Sequence, residues 1–95
     1  MKPAAPEIQV VIPQELRSLC GGRAEHSLPA RNVRELLGAI ARRHPQVHVR
    51  ICDEQGQPRP HINVFINDQL CPRTELHAPL AAGDVVSILP AVSGG

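Results

Sequence analysis

Aromatic residues are almost absent from this chain: Phe65 is the only one, and tryptophan and tyrosine do not occur. A hydrophobic core must therefore be built from isoleucine, valine, leucine and alanine. The formal net charge at neutral pH is only +1, so the chain lacks both the basic surface and the stacking side chains with which proteins bind nucleic acids. These two absences argue against a nucleic-acid-binding protein.

Long apolar runs and paired cysteines are missing as well. No segment approaches the ~20 apolar residues that span a bilayer, and residues 1–6 lack the apolar centre of a signal peptide. We therefore expect no membrane segment and a cytoplasmic location. Cys20, Cys52 and Cys71 form no CxxC pair and are expected to be buried or half-buried thiols in a reducing compartment.

The histidines show no metal-binding pattern. His44 and His48 are four residues apart, but Pro45 interrupts any helix between them. Asp53 and Glu54 lie in a polar turn without an acid–base partner. We assign no metal ligand and no catalytic residue. The other histidines have no fixed partner in the sequence: His26, His61 and His77.

A length of 95 residues with 42% hydrophobic and 20% charged residues fits one globular domain with a modest core. We expect a single domain over residues 1–95, with a loose lead-in at 1–7 and a flexible C-terminal tail at 91–95. Lysine occurs only as Lys2. The chain therefore offers almost no side chain on which isopeptide-linked copies could be built.

Apolar residues in alternation predict five strands separated by turn signals. Pro13 stops the first strand, and Gly21-Gly22 can turn the chain back into the second. A turn-rich loop follows the third strand, and a tight turn with a short continuation at 69–71 follows the fourth. The predicted strands are 8–12, 24–28, 47–52, 62–66 and 85–90.

One helix is predicted over residues 33–43. Asn32 and Glu35 have the spacing of a capping box, in which both side chains bind unpaired N–H groups at a helix start. Pro45 ends the helix. Apolar residues have the spacing of a single buried stripe: Val33, Leu36, Leu37 and Ile40.

This order of elements predicts an α+β domain of the β-grasp (ubiquitin-like) fold. A four- to five-stranded mixed sheet would carry one main helix across one face, because the apolar stripe needs a partner. The last strand would lie parallel to the first, a pairing that requires a long crossover. Strand alternation then turns a second set of residues away from the helix, where they could contact a partner: Val11, Phe65, Leu70, Ser87 and Leu89. The alternative for Phe65 is a place in the core.

The chain ends in a segment with little side-chain bulk, Val92-Ser93-Gly94-Gly95. Two glycines let a chain end enter a narrow slot, since no Cβ widens it. A terminal carboxylate is anionic at neutral pH and is a poor electrophile. It must be activated before it can take part in acyl chemistry.

The sequence resembles the ubiquitin-like sulfur carriers of the MoaD/ThiS family, and within it the CysO type. The resemblance covers nearly the whole chain, including the predicted helix, Asn67 after a hydrophobic strand, Gly83-Asp84 before the last strand, and the diglycine end. The segments that resemble the CysO type are Val11-Ile12-Pro13, Leu16-Arg17 and Leu19 before Gly21-Gly22, Asn63-Val64-Phe65, and Ile88-Leu89-Pro90-Ala91-Val92.

This resemblance implies a carrier and not an enzyme. A partner similar to ubiquitin-activating enzymes would use ATP to adenylate the carboxylate of Gly95, and a sulfur donor would convert the adenylate to a thiocarboxylate. In the CysO type the thiocarboxylate attacks an aminoacrylate bound to pyridoxal phosphate in a cysteine synthase, and a zinc peptidase releases the product. The carrier itself binds no cofactor.

Other functions remain open at this point. The same carrier could supply sulfur to molybdopterin, thiazole or a specialised metabolite. A protein modifier attached to lysines and a non-covalent β-grasp interaction module are alternatives of a different class. An iron–sulfur protein is disfavoured, because three cysteines cannot supply four thiolate ligands.

Overall fold

The computed structural model describes residues 5–91, which form a five-stranded sheet with two α-helices packed on it. Two 3₁₀ segments, Gln14–Cys20 and Arg73–Glu75, lie in the connections. The strands are β1 (Glu7–Val11), β2 (Glu25–Pro29), β3 (Ile62–Ile66), β4 (Gln69–Leu70) and β5 (Val85–Pro90), and the helices are α1 (Val33–Arg43) and α2 (Pro45–Ile51).

The sheet has the order β2-β1-β5-β3-β4. Strands β1 and β5 are parallel at its centre, and the other neighbours are antiparallel. The predicted β-grasp fold is thus confirmed, together with the parallel pairing of the first and last strands. Strand β1 begins and ends one residue earlier than its predicted range of 8–12, and the Pro6 carbonyl accepts a hydrogen bond from the Ala30 N–H (3.0 Å).

Helix α1 has the predicted bounds and the predicted cap. The Asn32 side chain accepts a hydrogen bond from the Glu35 N–H (2.8 Å), and the Glu35 carboxylate accepts one from the Arg31 N–H (2.9 Å). Both bonds satisfy donors that have no partner within the helix. The apolar stripe is buried against the sheet, where it packs with residues of β1 and β5: Val33, Leu36, Leu37, Ile40, Ile8, Val10, Val86 and Ile88.

The third predicted strand, over residues 47–52, is wrong. This segment is helix α2, which begins at Pro45 and ends at Ile51. Pro45 does end α1, but proline is also favoured in the first turn of a helix, because the N–H that it lacks would be unpaired there. Val47 and Ile51 lie one turn apart and are fully buried, whereas Val49 is 56% exposed. The alternation of Val47, Val49 and Ile51 fits a strand, but the burial of Val47 and Ile51 in the core is achieved by a helix.

The remaining differences are small. The connection between β1 and β2 contains the first 3₁₀ segment, Gln14–Cys20. Strand β2 is shifted by one residue from its predicted range, and β4 ends at Leu70, one residue early. No helix among residues 5–91 is long and apolar enough to cross a membrane.

Candidate functional site

The two helices cover one face of the sheet, and no other element within residues 5–91 covers the opposite face. Along β1 and β5 buried residues alternate with partly exposed ones. Ile8 and Val10 face the helices, so Val11 faces away; Val86 and Ile88 are likewise buried. The uncovered side can therefore be contacted by a partner.

The strand register brings the predicted contact residues together on this side. Val11 pairs with Ser87, Ser87 with Phe65, and Phe65 with Leu70, which places one residue from each of four strands in a row. Leu89 lies two residues beyond Ser87 on the same face. We call these five residues the open face.

The open face is apolar and accessible. Leu70 and Leu89 are 57% and 42% exposed, which makes them two of the three large hydrophobic residues exposed in the described part of the chain. Phe65 is half-buried and does not belong to the hydrophobic core. Its ring borders a shallow pocket that also includes Asp68, Ser87 and Leu89. Apolar side chains gathered in this way are typical of a protein interface.

A polar network holds one end of this face in place. Asn67 adopts the left-handed conformation (φ 55°) in the turn between β3 and β4. Its side chain donates to Asp84 (3.3 Å) and accepts from the Val85 N–H (3.1 Å), and Asp84 accepts from the Ala81 N–H (2.8 Å). The turn after β3 is thereby fastened to the start of β5. Sequence reasoning identified this turn and the Gly83-Asp84 pair separately but did not connect them.

The chain leaves the sheet at the end of β5. The Ala91 N–H donates to the carbonyl of His61 (2.6 Å), one residue before β3 begins. Beside this point lies a groove lined by Pro13, Glu15, Leu16, Arg50, His61, Ile62 and Pro90. The predicted tail residues Val92, Ser93, Gly94 and Gly95 lie outside the described residues.

The three thiols are all buried, as the sequence predicted. Burial raises the pKa of the Cys52 thiol to about 11, with a smaller contribution from the charge of Asp53. Burial also raises the pKa of the Cys20 and Cys71 thiols. A thiol with a raised pKa is mostly protonated at neutral pH and is a weak nucleophile.

The His26 and His44 rings are in contact, with their centroids 4.7 Å apart, although the sequence gives no reason to pair them. Burial lowers the pKa of His44, and the neighbouring charges of His26 and Arg43 lower it further. Within residues 5–91 no three potential metal ligands lie together.

The fold and the open face define a protein of the ubiquitin-like class. A family model described as the ThiS family matches residues 10–95. The chain therefore belongs to the ThiS family, and the predicted resemblance to the MoaD/ThiS sulfur carriers is confirmed.

Solved structures agree with this assignment. A chain of the BexX/CysO complex from Amycolatopsis orientalis is 32% identical, with a TM-score of 0.77 over 93% of this chain and 99% of that one. CysO from Mycobacterium tuberculosis is 26% identical (TM-score 0.76; 90% and 99% covered). The small archaeal modifier protein SAMP1 from Methanosarcina acetivorans is 27% identical (TM-score 0.81; 99% and 100% covered). No curated protein sequence matches the chain significantly.

Together these similarities identify a small ubiquitin-like protein that acts with separate enzymes, as a sulfur carrier or as a modifier.

Proposed function

We propose that this protein carries sulfur as a thiocarboxylate on Gly95 and supplies it for the synthesis of cysteine. The observation that carries this proposal is the match to the ThiS family, which extends through the Gly94-Gly95 end of the chain. The similarity to the CysO-containing structures supports cysteine as the product.

The proposed chemistry follows from the low reactivity of a carboxylate. A separate enzyme joins the Gly95 carboxylate to the AMP part of ATP, pyrophosphate departs, and AMP becomes a good leaving group on the carbonyl carbon. Hydrosulfide then attacks this carbon, AMP departs, the S–H proton is lost to solvent, and the thiocarboxylate remains. This anion is a soft nucleophile, suited to an electrophilic alkene such as an aminoacrylate bound to pyridoxal phosphate. A zinc peptidase would release the cysteine product.

We propose that the open face is where the activating enzyme docks. Phe65, Leu70 and Leu89 supply apolar contact area, and Leu89 lies two residues before the point where the tail leaves the sheet. An enzyme bound at this face would have the tail within its reach. These side chains are already about half buried in the free protein, so burying the rest of each would contribute roughly 1 kcal/mol to binding.

Intact-mass measurement tests the sulfur chemistry. The chain is incubated with the activating enzyme, ATP and a sulfide source, and we expect a mass increase equal to one oxygen replaced by sulfur. Peptide mapping should place it at Gly95, and alkylation of the new sulfur excludes oxidation. A chain lacking Gly94-Gly95 should gain no sulfur. Full sulfur delivery by the truncated chain would contradict the proposal.

Matched variants test the docking face. Phe65→Ala and Leu89→Ala should each weaken binding to the activating enzyme about fivefold, corresponding to about 1 kcal/mol. Val49→Ala is the control, because Val49 is exposed on α2 and lies away from the open face. Equal affinities for all three folded variants would rule out this face.

A protein modifier is the second candidate, favoured by the similarity to SAMP1. A modifier forms amide bonds to lysines of other proteins, so tagged chain in cells should appear in covalent conjugates that disappear when Gly94-Gly95 is deleted. A sulfur carrier of the CysO type needs no such conjugates. Their presence at high yield, without a thiocarboxylate, would favour the modifier.

A further inference from the structure

The two sides of the sheet differ in charge. Every arginine of the chain lies in a helix, a 3₁₀ segment or a connection, so that none of the five strands carries a basic side chain other than His26. On the two helices, which cover the side of the sheet opposite the open face, the arginines are exposed: Arg34, Arg42, Arg43 and Arg50.

Carboxylates lie at two opposite edges of the open face. Glu25 of β2 pairs with Val11, so its side chain continues the row of the open face at the β2 edge. Asp68 lies in the turn between β3 and β4, where it lines the shallow pocket with Phe65 and Leu89. Both carboxylates are exposed, and neither forms an ion pair with another of the described residues. Two unpaired negative charges thus flank the apolar centre.

The width of the sheet determines how far apart these charges are. Neighbouring strands lie about 4.8 Å apart, so the sheet from β2 to β4 is about 19 Å wide. Glu7 of β1 is also exposed, and by strand alternation with Val11 it lies on the same side. A protein that covers the apolar centre therefore meets a carboxylate on either side of its contact.

The position of the charges makes a second copy of this chain a poor occupant of the open face. In a two-fold dimer the same patch of both copies meets itself. Glu25 of one copy would then approach Glu25 or Asp68 of the other, and like charges brought together in this way are unfavourable. The apolar centre instead fits a partner whose own apolar surface is bordered by cations.

We propose that the activating enzyme binds the open face with an apolar surface bordered by arginine or lysine side chains, which approach Glu25 and Asp68. This inference rests on the proposed function and specifies the chemistry of the partner at its docking site. Charges at the rim of an interface act mainly on the rate of association, because they steer the encounter over distances that apolar contacts do not reach. The apolar centre acts mainly on the rate of dissociation.

Association kinetics with matched variants test this inference. The enzyme used is the protein of the same organism that releases pyrophosphate from ATP only when this chain is added. Glu25→Gln and Asp68→Asn each remove one rim charge. Glu54→Gln removes the same charge elsewhere: Glu54 is exposed in the loop after α2, beside Arg59, whose guanidinium donates to the Val49 carbonyl of α2 (2.9 Å). This control lies towards the helical side.

At about 0.01 M salt, where charges act over about 30 Å, we expect both rim variants to associate about two- to fivefold more slowly than Glu54→Gln. Glu25→Arg should be slower still, and Glu54→Arg is its control. At about 1 M salt, where the screening length is about 3 Å, the differences should disappear. Circular dichroism verifies that the variants are folded.

Two kinetic outcomes would overturn the inference. Equal association rates for the rim variants and Glu54→Gln at low salt would show that the partner carries no cations there. A difference that persists at about 1 M salt would show that the rim residues act through packing and not through charge. A dimer of the unchanged chain that is lost in Leu89→Ala, measured by light scattering, would overturn it as well, because the open face would then be occupied by a second copy.

Thiocarboxylate formation by the unchanged chain separates this inference from the proposed function. If the enzyme binds and the thiocarboxylate forms, but the rim variants associate as fast as the control, the inference fails and the proposed function stands. If the thiocarboxylate does not form, the proposed function fails, and the association rates still decide the chemistry of the docking site. Absence of any binding would overturn both.

Discussion

The Arg73 side chain binds three backbone carbonyls in two neighbouring segments, and its removal is a sharp test of the fold. Its guanidinium donates to the carbonyls of Pro58, Arg59 (2.7 Å) and Ile62 (2.9 Å). These bonds join the loop after α2 to the first residue of β3, beside the exit of the tail. We predict that Arg73→Ala is the most destabilising substitution of an exposed residue in the described part of the chain.

The magnitude follows from the three bonds. A hydrogen bond from a charged donor contributes about 1.5–3 kcal/mol, but Arg73 is exposed, so about 1 kcal/mol each is reasonable after solvent screening. The loss of about 2–3 kcal/mol compares with a total stability of roughly 5–14 kcal/mol for a domain of this length. The melting temperature should fall by about 10–20 °C.

Urea and thermal unfolding of matched variants provide the assay. Arg73→Lys should lose most of the same stability, since one ammonium group cannot span three carbonyls in the geometry of a guanidinium. Arg34→Ala on the exposed side of α1 should change stability by less than about 0.5 kcal/mol. An Arg73→Ala variant within that same margin would refute the reasoning.

Three further predictions concern the cap, a histidine and a thiol. Asn32→Ala should cost about 1 kcal/mol in urea unfolding and Asn32→Asp much less, because aspartate keeps the bond to the Glu35 N–H. The pKa of His44 is lowered in the folded state, so the unfolded chain binds a proton there more readily and the free energy of unfolding should decrease as the pH falls below about 6.5. His44→Gln should remove this part of the pH dependence, and an unchanged slope of stability against pH in that variant would contradict the prediction. Cys52 should be alkylated about a hundredfold more slowly in the folded chain than in denaturant, as its raised pKa and burial require; equal rates by peptide mapping would exclude this.

Elements with one unambiguous signal were predictable from the sequence. Helix α1 has a cap, a stripe of period 3.6 and a proline stop, and its bounds are confirmed. Strands β3 and β5 are flanked by turns and rich in branched residues, and their ranges are also confirmed. The parallel pairing of β1 and β5 follows once the number and order of elements are known.

The strand predicted over residues 47–52 was wrong because the local pattern of apolar residues fits both a strand and a helix. Val47, Val49 and Ile51 alternate as in a strand, yet Val47 and Ile51 are also one helical turn apart. The decision depends on distant packing: α2 contacts α1 and the first 3₁₀ segment, and the edge of the sheet beyond β3 is already taken by β4. No window of sequence contains that information.

For the open face, in contrast, the local pattern was sufficient to predict which side chains point away from the helices. Alternation alone placed Val11, Phe65, Ser87 and Leu89 away from the helix, and this required only that each strand keep its period of two. Their alignment in one row depends on the register between strands, which cannot be read directly from the sequence. Burial of the opposite face fixes this register, because a slip by one residue would bury Ser87 and expose Val86. The packing that stabilises the core thus also aligns the open face. If this face is the proposed docking site, substitutions that shift the register of β5 should impair docking even where no open-face residue is changed.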